Sequence, residues 1–463
     1  MQELVNTIPS IPSIPLIPPV PSFQSSTQNT IFSALTPYIP WAIVPAWFFL
    51  LPSWSIIVGI IIFIIIVIIC IAWVYRWYQH LCHQHRRKIV DKQCRSTPFD
   101  QSIFISMPSY RDTQCAETLF DLFEKAYCPF RITVGVCQQN APIDEDIIVA
   151  YKKLAASGIN DFSDRIRIIR LDAGEAKGPM YARHLIEKNL FRGEQFYMNV
   201  DSHMLFTPNW DKHLIEEWNI CAQLSAKPVI TMYPEDFKAH NRTIPMYNYE
   251  KTAGSYLRLK KFNEKTGVIE IEGPSFMRIP NTPVPSLFWA ACFSFGPSSM
   301  VQEVPFDPYC DYVFFGEEIS MAARLWTSGY DLYNPMKMHC YHMWERNRPT
   351  YLSQFNDNSN EKHKERQILE AAGYDRIKKI LHMSNEPVTV LPPYGMGTVR
   401  PFEEYEKLIG IHMKDQKFTS TSGIMGLLDT ASAQEILCKF GTWKNFENAK
   451  NTILKNMPGY FNK

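Results

Sequence analysis

Charge is what the first part of this chain lacks: no Asp, Glu, Lys or Arg stands between Glu3 and Arg76. Glycine-rich phosphate loops are missing too. No Walker motif and no GxGxxG follows the first soluble apolar run, which argues against a P-loop enzyme and against a nicotinamide enzyme. The eleven cysteines show no repeated spacing, which argues against a disulfide framework and predicts free thiols in a reducing compartment. A formal net charge of +1, with no basic stripe and no internal repeat, excludes a nucleic-acid partner on electrostatic grounds.

Inside the uncharged stretch, Trp54 to Tyr75 reads WSIIVGIIIFIIIVIICIAWVY, long enough to cross a bilayer core. Its isoleucines each favour insertion by about 0.3 to 0.6 kcal/mol, and no charge opposes them. A transmembrane helix is expected. Tyr38 to Leu51 is shorter and broken by Pro40 and Pro45, as in an interfacial segment or the first arm of a hairpin. The N-terminus has no basic region and its apolar core comes late, which is unlike a cleaved signal peptide. Farther upstream, Pro9, Pro12, Pro15, Pro18 and Pro21 recur every third residue. They predict an extended polyproline II arm: a stiff spacer, with a proline-motif partner for residues 8–22 as the alternative.

Arg76, Arg86, Arg87 and Lys88 follow the apolar helix and nothing positive precedes it. By the positive-inside rule the large C-terminal part is expected in the cytosol, with the Golgi lumen as the alternative. His80, Cys82, His83 and His85 lack paired zinc-ligand spacing and read as an interfacial flank or an acylated cysteine.

Beyond the stem the chain alternates. Ser102–Met107, Ile132–Val136, Ile166–Leu171 and Phe196–Val200 are short apolar runs expected as strands. Between them Asp112 is expected to cap a helix carrying Ala116, Leu119, Phe120 and Phe123 on one face. Ile143–Ala156 reads as a second helix. Gly178-Pro179 opens a third, with Pro at a permitted first-turn position. This order predicts an α/β fold with a mainly parallel sheet, whose ligands lie beyond the carboxyl ends of the strands.

Asp201-Ser202-His203 stands at such an end. Alternation along a strand puts Asp201 and His203 on one face, and mixed oxygen and nitrogen ligation suits Mn²⁺ better than Ca²⁺. Glu317 and Glu318 precede a helix over Ile319–Thr327 that ends at Gly329, where they act as N-terminal carboxylates or as functional ones. His339 and His342 are both candidates for a third metal ligand. Asn209-Trp210-Asp211 and Trp289 are possible shapers of the site, although tryptophan is more often core packing.

The blocks IFISMPSYRD, ITVGVCQQN, GPMYARHL, FYMNVDSHMLFTPNWD, FFGEE to RLWTSGYDLYNP, and HCYHMWERNRP resemble the polypeptide N-acetylglucosaminyltransferases that use UDP-GlcNAc, a group that includes a cytosolic hydroxyproline-modifying enzyme. A weaker likeness to mucin-type polypeptide GalNAc transferases, which share the Asp-x-His motif, favours His342 over His339 by its spacing from Trp326. The resemblance implies a GT-A fold and a divalent cation held by Asp201, His203 and His342. It also implies a retaining transfer of GlcNAc to a protein hydroxyl of Ser, Thr or hydroxyproline. Arg111 and Asp112 fall where uridine and ribose are expected, Arg183 where a phosphate is within reach, and Glu317 and Glu318 where sugar hydroxyls or acceptor lie. No carboxylate is identifiable as a nucleophile, so a front-face route is the expected mechanism.

The division that follows is a proline-rich arm over 1–37, an apolar segment over 38–53 and a transmembrane helix over 54–75. A basic stem over 76–99, a GT-A glycosyltransferase domain over 100–415 and a helical tail over 416–463 complete it. Two alternatives to GlcNAc transfer are another UDP-sugar donor or a glycan acceptor on the same fold, and a non-catalytic membrane scaffold.

Overall fold

The structure, a computed structural model, describes residues 53–95, 101–156, 161–237, 252–255, 257–273, 276–278, 283–345, 361–386, 390–420 and 422–425. The proline arm, most of the apolar segment, and the tail around Ser432–Phe440 lie outside those residues. So do the side chains of His80, Cys82, His83 and His85. The chain forms two units, residues 1–79 and 80–463.

Helix α1 spans Ser53–Arg95. Its segment Ile57–Tyr75 has a mean hydropathy of 3.5 and no buried residue, so it is long and apolar enough to cross a membrane. Helical backbone continues past the apolar segment to Arg95, through most of the stretch read as a basic stem.

In the second unit the expected alternation appears with slightly longer strands. It runs β1 (Ile103–Tyr110), α2 (Cys115–Lys125), β2 (Ile132–Asn140), α3 (Ile147–Ala156), β3 (Ile166–Asp172), α4 (Pro179–Leu190) and β4 (Phe196–Val200). After β5 (Met204–Phe206) and α5 (Trp210–Leu224) come β6 (Pro228–Thr231), β7 (Thr252–Ser255), β8 (Arg258–Phe262), β9 (Ile269–Glu272), β10 (Phe276–Arg278), β11 (Val284–Pro285) and β12 (Phe293–Pro297). Helices α6 (Met300–Glu303) and α7 (Glu317–Thr327), strands β13 (Asp331–Asn334) and β14 (Cys340–His342), and helices α8 (Glu361–Ile380) and α9 (Phe402–Ile409) follow.

Eight strands form one sheet in the order β11-β13-β6-β12-β4-β1-β2-β3. β1 lies parallel to both β2 and β4, with Ile103 opposite Ile132 on one side and Phe196 on the other. β2 is parallel to β3, and β6 to β13. β12 runs antiparallel between β4 and β6, so the sheet is mixed though mainly parallel, the α/β architecture expected. The strands nearest the centre are buried along their length, as both faces are covered.

One position sets how closely α4 approaches the sheet. A Cβ on Gly135 of β2 would lie 2.4 Å from the Phe104 ring and 3.0 Å from Ile186 of α4. Glycine there lets the helix and the ring settle against β2, and α4 is the helix that carries Arg183.

Two local expectations change. The α2 helix begins at Cys115 after Gln114, and the Asp112 side chain instead accepts from the Gln114 amide at 2.9 Å. The cysteines are not all free. Cys94, near the end of α1, is disulfide-bonded to Cys128, just before β2. Cys70, Cys115, Cys137, Cys221, Cys292, Cys310 and Cys340 are unpaired thiols among the described residues. Scattered spacing hid this pair because 34 residues separate its members.

Candidate functional site

The carboxyl ends of β1, β2 and β4 meet at one edge because those strands are parallel neighbours. Asp201 follows β4 directly. A second, smaller sheet then supplies the third group: β5 pairs antiparallel with β14, His342 opposite Met204, and the Met343 amide donates to the His203 carbonyl at 3.1 Å. This register lays His342 beside His203. Their Nε2 atoms are 3.1 Å apart, and Asp201 Oδ2 lies 3.2 Å from His342 Nε2 and 3.8 Å from His203 Nε2.

One ligand atom from each of Asp201, His203 and His342 falls within 4.8 Å of the others. Both histidines are buried, and Asp201 keeps a quarter of its side chain exposed. Burial works against charge on Asp201, but the His342 ring and the Arg183 guanidinium outweigh it and hold the carboxyl far below its ordinary range. His339, the reserve candidate, is elsewhere. Its Nε2 lies 3.0 Å from Glu217 of α5, fully buried in the core.

Asp201 opens onto a cavity of about 530 Å³ whose wall includes Arg183, Tyr233, Glu317, Glu318 and Trp344. That is an ordinary volume for a small-molecule site. Arg183 is 2% exposed. Its terminal nitrogens donate to Glu317 at 2.8 Å, to Asp201 at 3.0 Å and to the Ala291 carbonyl at 3.2 Å. Expected within reach of a phosphate, this guanidinium lines the cavity as a buried strut between α7 and the Asp201 carboxylate. Burial pushes the Glu317 carboxyl up, with Arg183 opposing. Burial also raises Glu318 to about 7, although the Tyr233 hydroxyl and the Ala291 amide both donate to it.

Asp112 and Arg111 separate. Arg111 sits at φ +47° and its guanidinium forks onto Asp144 at 2.8 and 3.1 Å. Asp112 turns inward, 8% exposed, with Oδ2 2.7 Å from His203 Nδ1 and 2.8 Å from Ser202 Oγ. Neither lines the cavity. Asp112, expected near the ribose, is held in this buried partnership. Trp210 and Trp289 are core residues. The Trp210 indole donates to the Leu122 carbonyl, and Asp211 accepts from the Tyr127 and Cys128 amides.

Trp344 and Tyr233 are among the cavity residues that escaped the sequence reading. The Trp344 ring lies 4.0 Å from the His342 ring, with its indole N–H on the Pro234 carbonyl at 3.0 Å. Tyr233 lies just past β6. Both were accessible in principle: Trp344 is two residues beyond His342, hence on the same face of extended chain, and Tyr233 follows a strand at the same sheet edge.

The donor set fits a divalent cation. One carboxylate oxygen and two imidazole nitrogens converge, a mixture suited to Mn²⁺ or its neighbours in the first transition row. The cavity wall also holds four carboxyls, Asp201, Glu272, Glu317 and Glu318, against the single guanidinium of Arg183 among the described residues, a deficit of positive charge that a cation would offset.

The family model described as Glycosyltransferase (GlcNAc) matches residues 102–161 and 149–415. Among solved structures, GalNAc-T7 with UDP, GalNAc and Mn²⁺ aligns at 10% identity over 77% of this chain and 58% of that one, with a TM-score of 0.39. S. aureus TarS 1–349 in complex with UDP-GlcNAc aligns at 11% identity over 77% and 89%, with a TM-score of 0.32. The chain thus spans under two thirds of the GalNAc-T7 chain it matches. No curated protein matches it.

Proposed function

Because the chain belongs to the glycosyltransferase (GlcNAc) family, we propose that it transfers GlcNAc from UDP-GlcNAc to a hydroxyl on a protein, with a divalent cation, Mn²⁺, held by Asp201, His203 and His342. The observation that carries this reading is the convergence of those three side chains beside a cavity of about 530 Å³. When bound, the cation stabilises the negative charge that grows on the departing diphosphate.

The protein groups around it have separable tasks. Arg183 holds the Asp201 carboxylate in place from behind. Glu318 and Tyr233 face the cavity with a proton between them and present a hydrogen-bonding pair to sugar or acceptor hydroxyls. Glu317 is committed to Arg183, and Glu318 to Tyr233 and the Ala291 amide. That leaves neither carboxylate poised as a nucleophile and supports a front-face, retaining route. In it the acceptor oxygen bonds to the anomeric carbon while the bond from that carbon to the phosphate oxygen breaks. The electron pair leaves with UDP, and the acceptor proton passes to the departing phosphate.

The test is metal-dependent UDP release from UDP-GlcNAc by the full chain. Asp201→Ala and His203→Ala are expected to lose it without unfolding, and full activity in either variant with added Mn²⁺ ends the reading. A panel of UDP-sugars separates GlcNAc from other donors, and a protein against a glycan acceptor separates the two acceptor classes.

In this reading the helix Ile57–Tyr75 anchors the enzyme in a membrane. Its flanks and its disulfide point to opposite sides. Basic residues after the helix favour the cytosol, but long domains translocate largely regardless of charge. A Cys94–Cys128 bond needs an oxidising compartment. The lumenal side is therefore the reading we adopt, in place of the cytosolic one suggested by charge alone.

A further inference from the structure

We propose that Asp112 is a positioning residue that orients His203 toward the cation, an inference that rests on the metal reading above. The carboxylate is buried, and both its oxygens already accept, Oδ1 from the Gln114 amide at 2.9 Å and Oδ2 from the Ser202 hydroxyl at 2.8 Å. Set among donors in this way, it serves His203 as an acceptor too. The nitrogen 2.7 Å from it, His203 Nδ1, is then the one that carries the ring proton.

That assignment fixes the far side of the ring. With the proton on Nδ1, Nε2 presents a lone pair, and Nε2 is the atom that faces Asp201 and His342. Without Asp112 the ring can take the other tautomer, whose Nε2–H points into the space between the three groups. A carboxylate behind a ligating histidine commonly sets tautomer and ring angle in this way.

The backbone is built to aim it. β1 and β4 are adjacent and parallel, so the loop after β1 lies against Ser202 and His203. Arg111 occupies the left-handed region, disfavoured for a residue with a Cβ, and its amide donates to the Gln139 carbonyl at 3.0 Å. That turn sends the Arg111 guanidinium outward to Asp144 and the next side chain inward to His203. The Gln114 amide and Ser202 Oγ then hold both carboxylate oxygens in place.

The test uses the full chain in detergent and titrates Mn²⁺ by the paramagnetic signal of the free ion. Asp112→Asn is expected to weaken Mn²⁺ binding by roughly 10 to 100-fold, with an unchanged melting temperature in the metal-free state. The Mn²⁺ concentration for half-maximal UDP release should rise by the same factor, and saturating Mn²⁺ should restore turnover. Unchanged Mn²⁺ affinity in the folded variant overturns the proposal, and so does a turnover defect that excess Mn²⁺ does not repair. A wild-type chain that binds no Mn²⁺, or a His203→Ala chain that binds it as well as wild type, instead defeats the metal reading itself. Should Asp112→Asn fail to fold, ¹⁵N-histidine labelling of the wild-type chain decides, with the His203 signal identified by its loss in His203→Ala. A proton on Nδ1 supports the proposal and a proton on Nε2 overturns it.

Discussion

Glu318 is the cavity carboxyl whose charge state changes near physiological pH, being pushed up to about 7 from 4.5. Its folded-state value lies above its unfolded one, so between about pH 4.5 and 7 the folded chain holds a proton that the unfolded chain has released. This group's contribution to stability is therefore full at low pH and is lost as pH rises through that window. Activity is expected to show an inflection near pH 7 that vanishes in Glu318→Gln; an inflection retained in the variant assigns it to another group. The pairing of Asp201 with His203, by contrast, was legible in the chain, because an Asp-x-His at a strand end carries its geometry in its spacing. The roles of Asp112 and Arg183 were not. Asp112 meets His203 because β1 and β4 are neighbours, and Arg183 meets Glu317 across 134 residues of chain. Local pattern specifies neither adjacency.

At the scale of elements, the first half of the domain follows its sequence closely because each strand is an apolar run and each helix a period of 3.6. The second half does not. Its strands are two to five residues long, too short for periodicity, and the antiparallel insertion of β12 has no local signal. The same limit left the preference for His342 over His339 to the family likeness alone, and it is the pairing of β14 with β5 that lays His342 beside His203. The packing of α4 on β2 gives the sharpest test. Phe104 is held edge-on by Phe191 and face-on by Tyr197, with centroids 5.5 and 5.9 Å away, so its ring cannot yield to a methyl group 2.4 Å distant. Gly135→Ala is expected to cost about 1 to 3 kcal/mol, measured by denaturant unfolding of the full chain. It should also weaken Mn²⁺ binding, since α4 carries the strut behind Asp201. A variant as stable as wild type would show that helix and ring can shift freely.

For the molecule as a whole, the disulfide bears on where the protein works. If the domain faces an oxidising lumen, the sequon Asn241-Arg242-Thr243 meets the glycosylation machinery. The expected outcome is a glycosidase-sensitive mass shift on the protein recovered from cells, lost in Asn241→Gln, together with Cys94 and Cys128 protected from alkylation until reduced. Free, alkylatable thiols at both positions would return the domain to the cytosol. The place of that crosslink in the sheet has a consequence of its own. Cys128 lies at the amino edge of the sheet, whereas Asp201 lies at the carboxyl edge, and the nine residues of β2 separate those edges by about 30 Å. The crosslink and the three converging side chains thus occupy opposite ends of the strands, so opening the one is expected to leave the other in place.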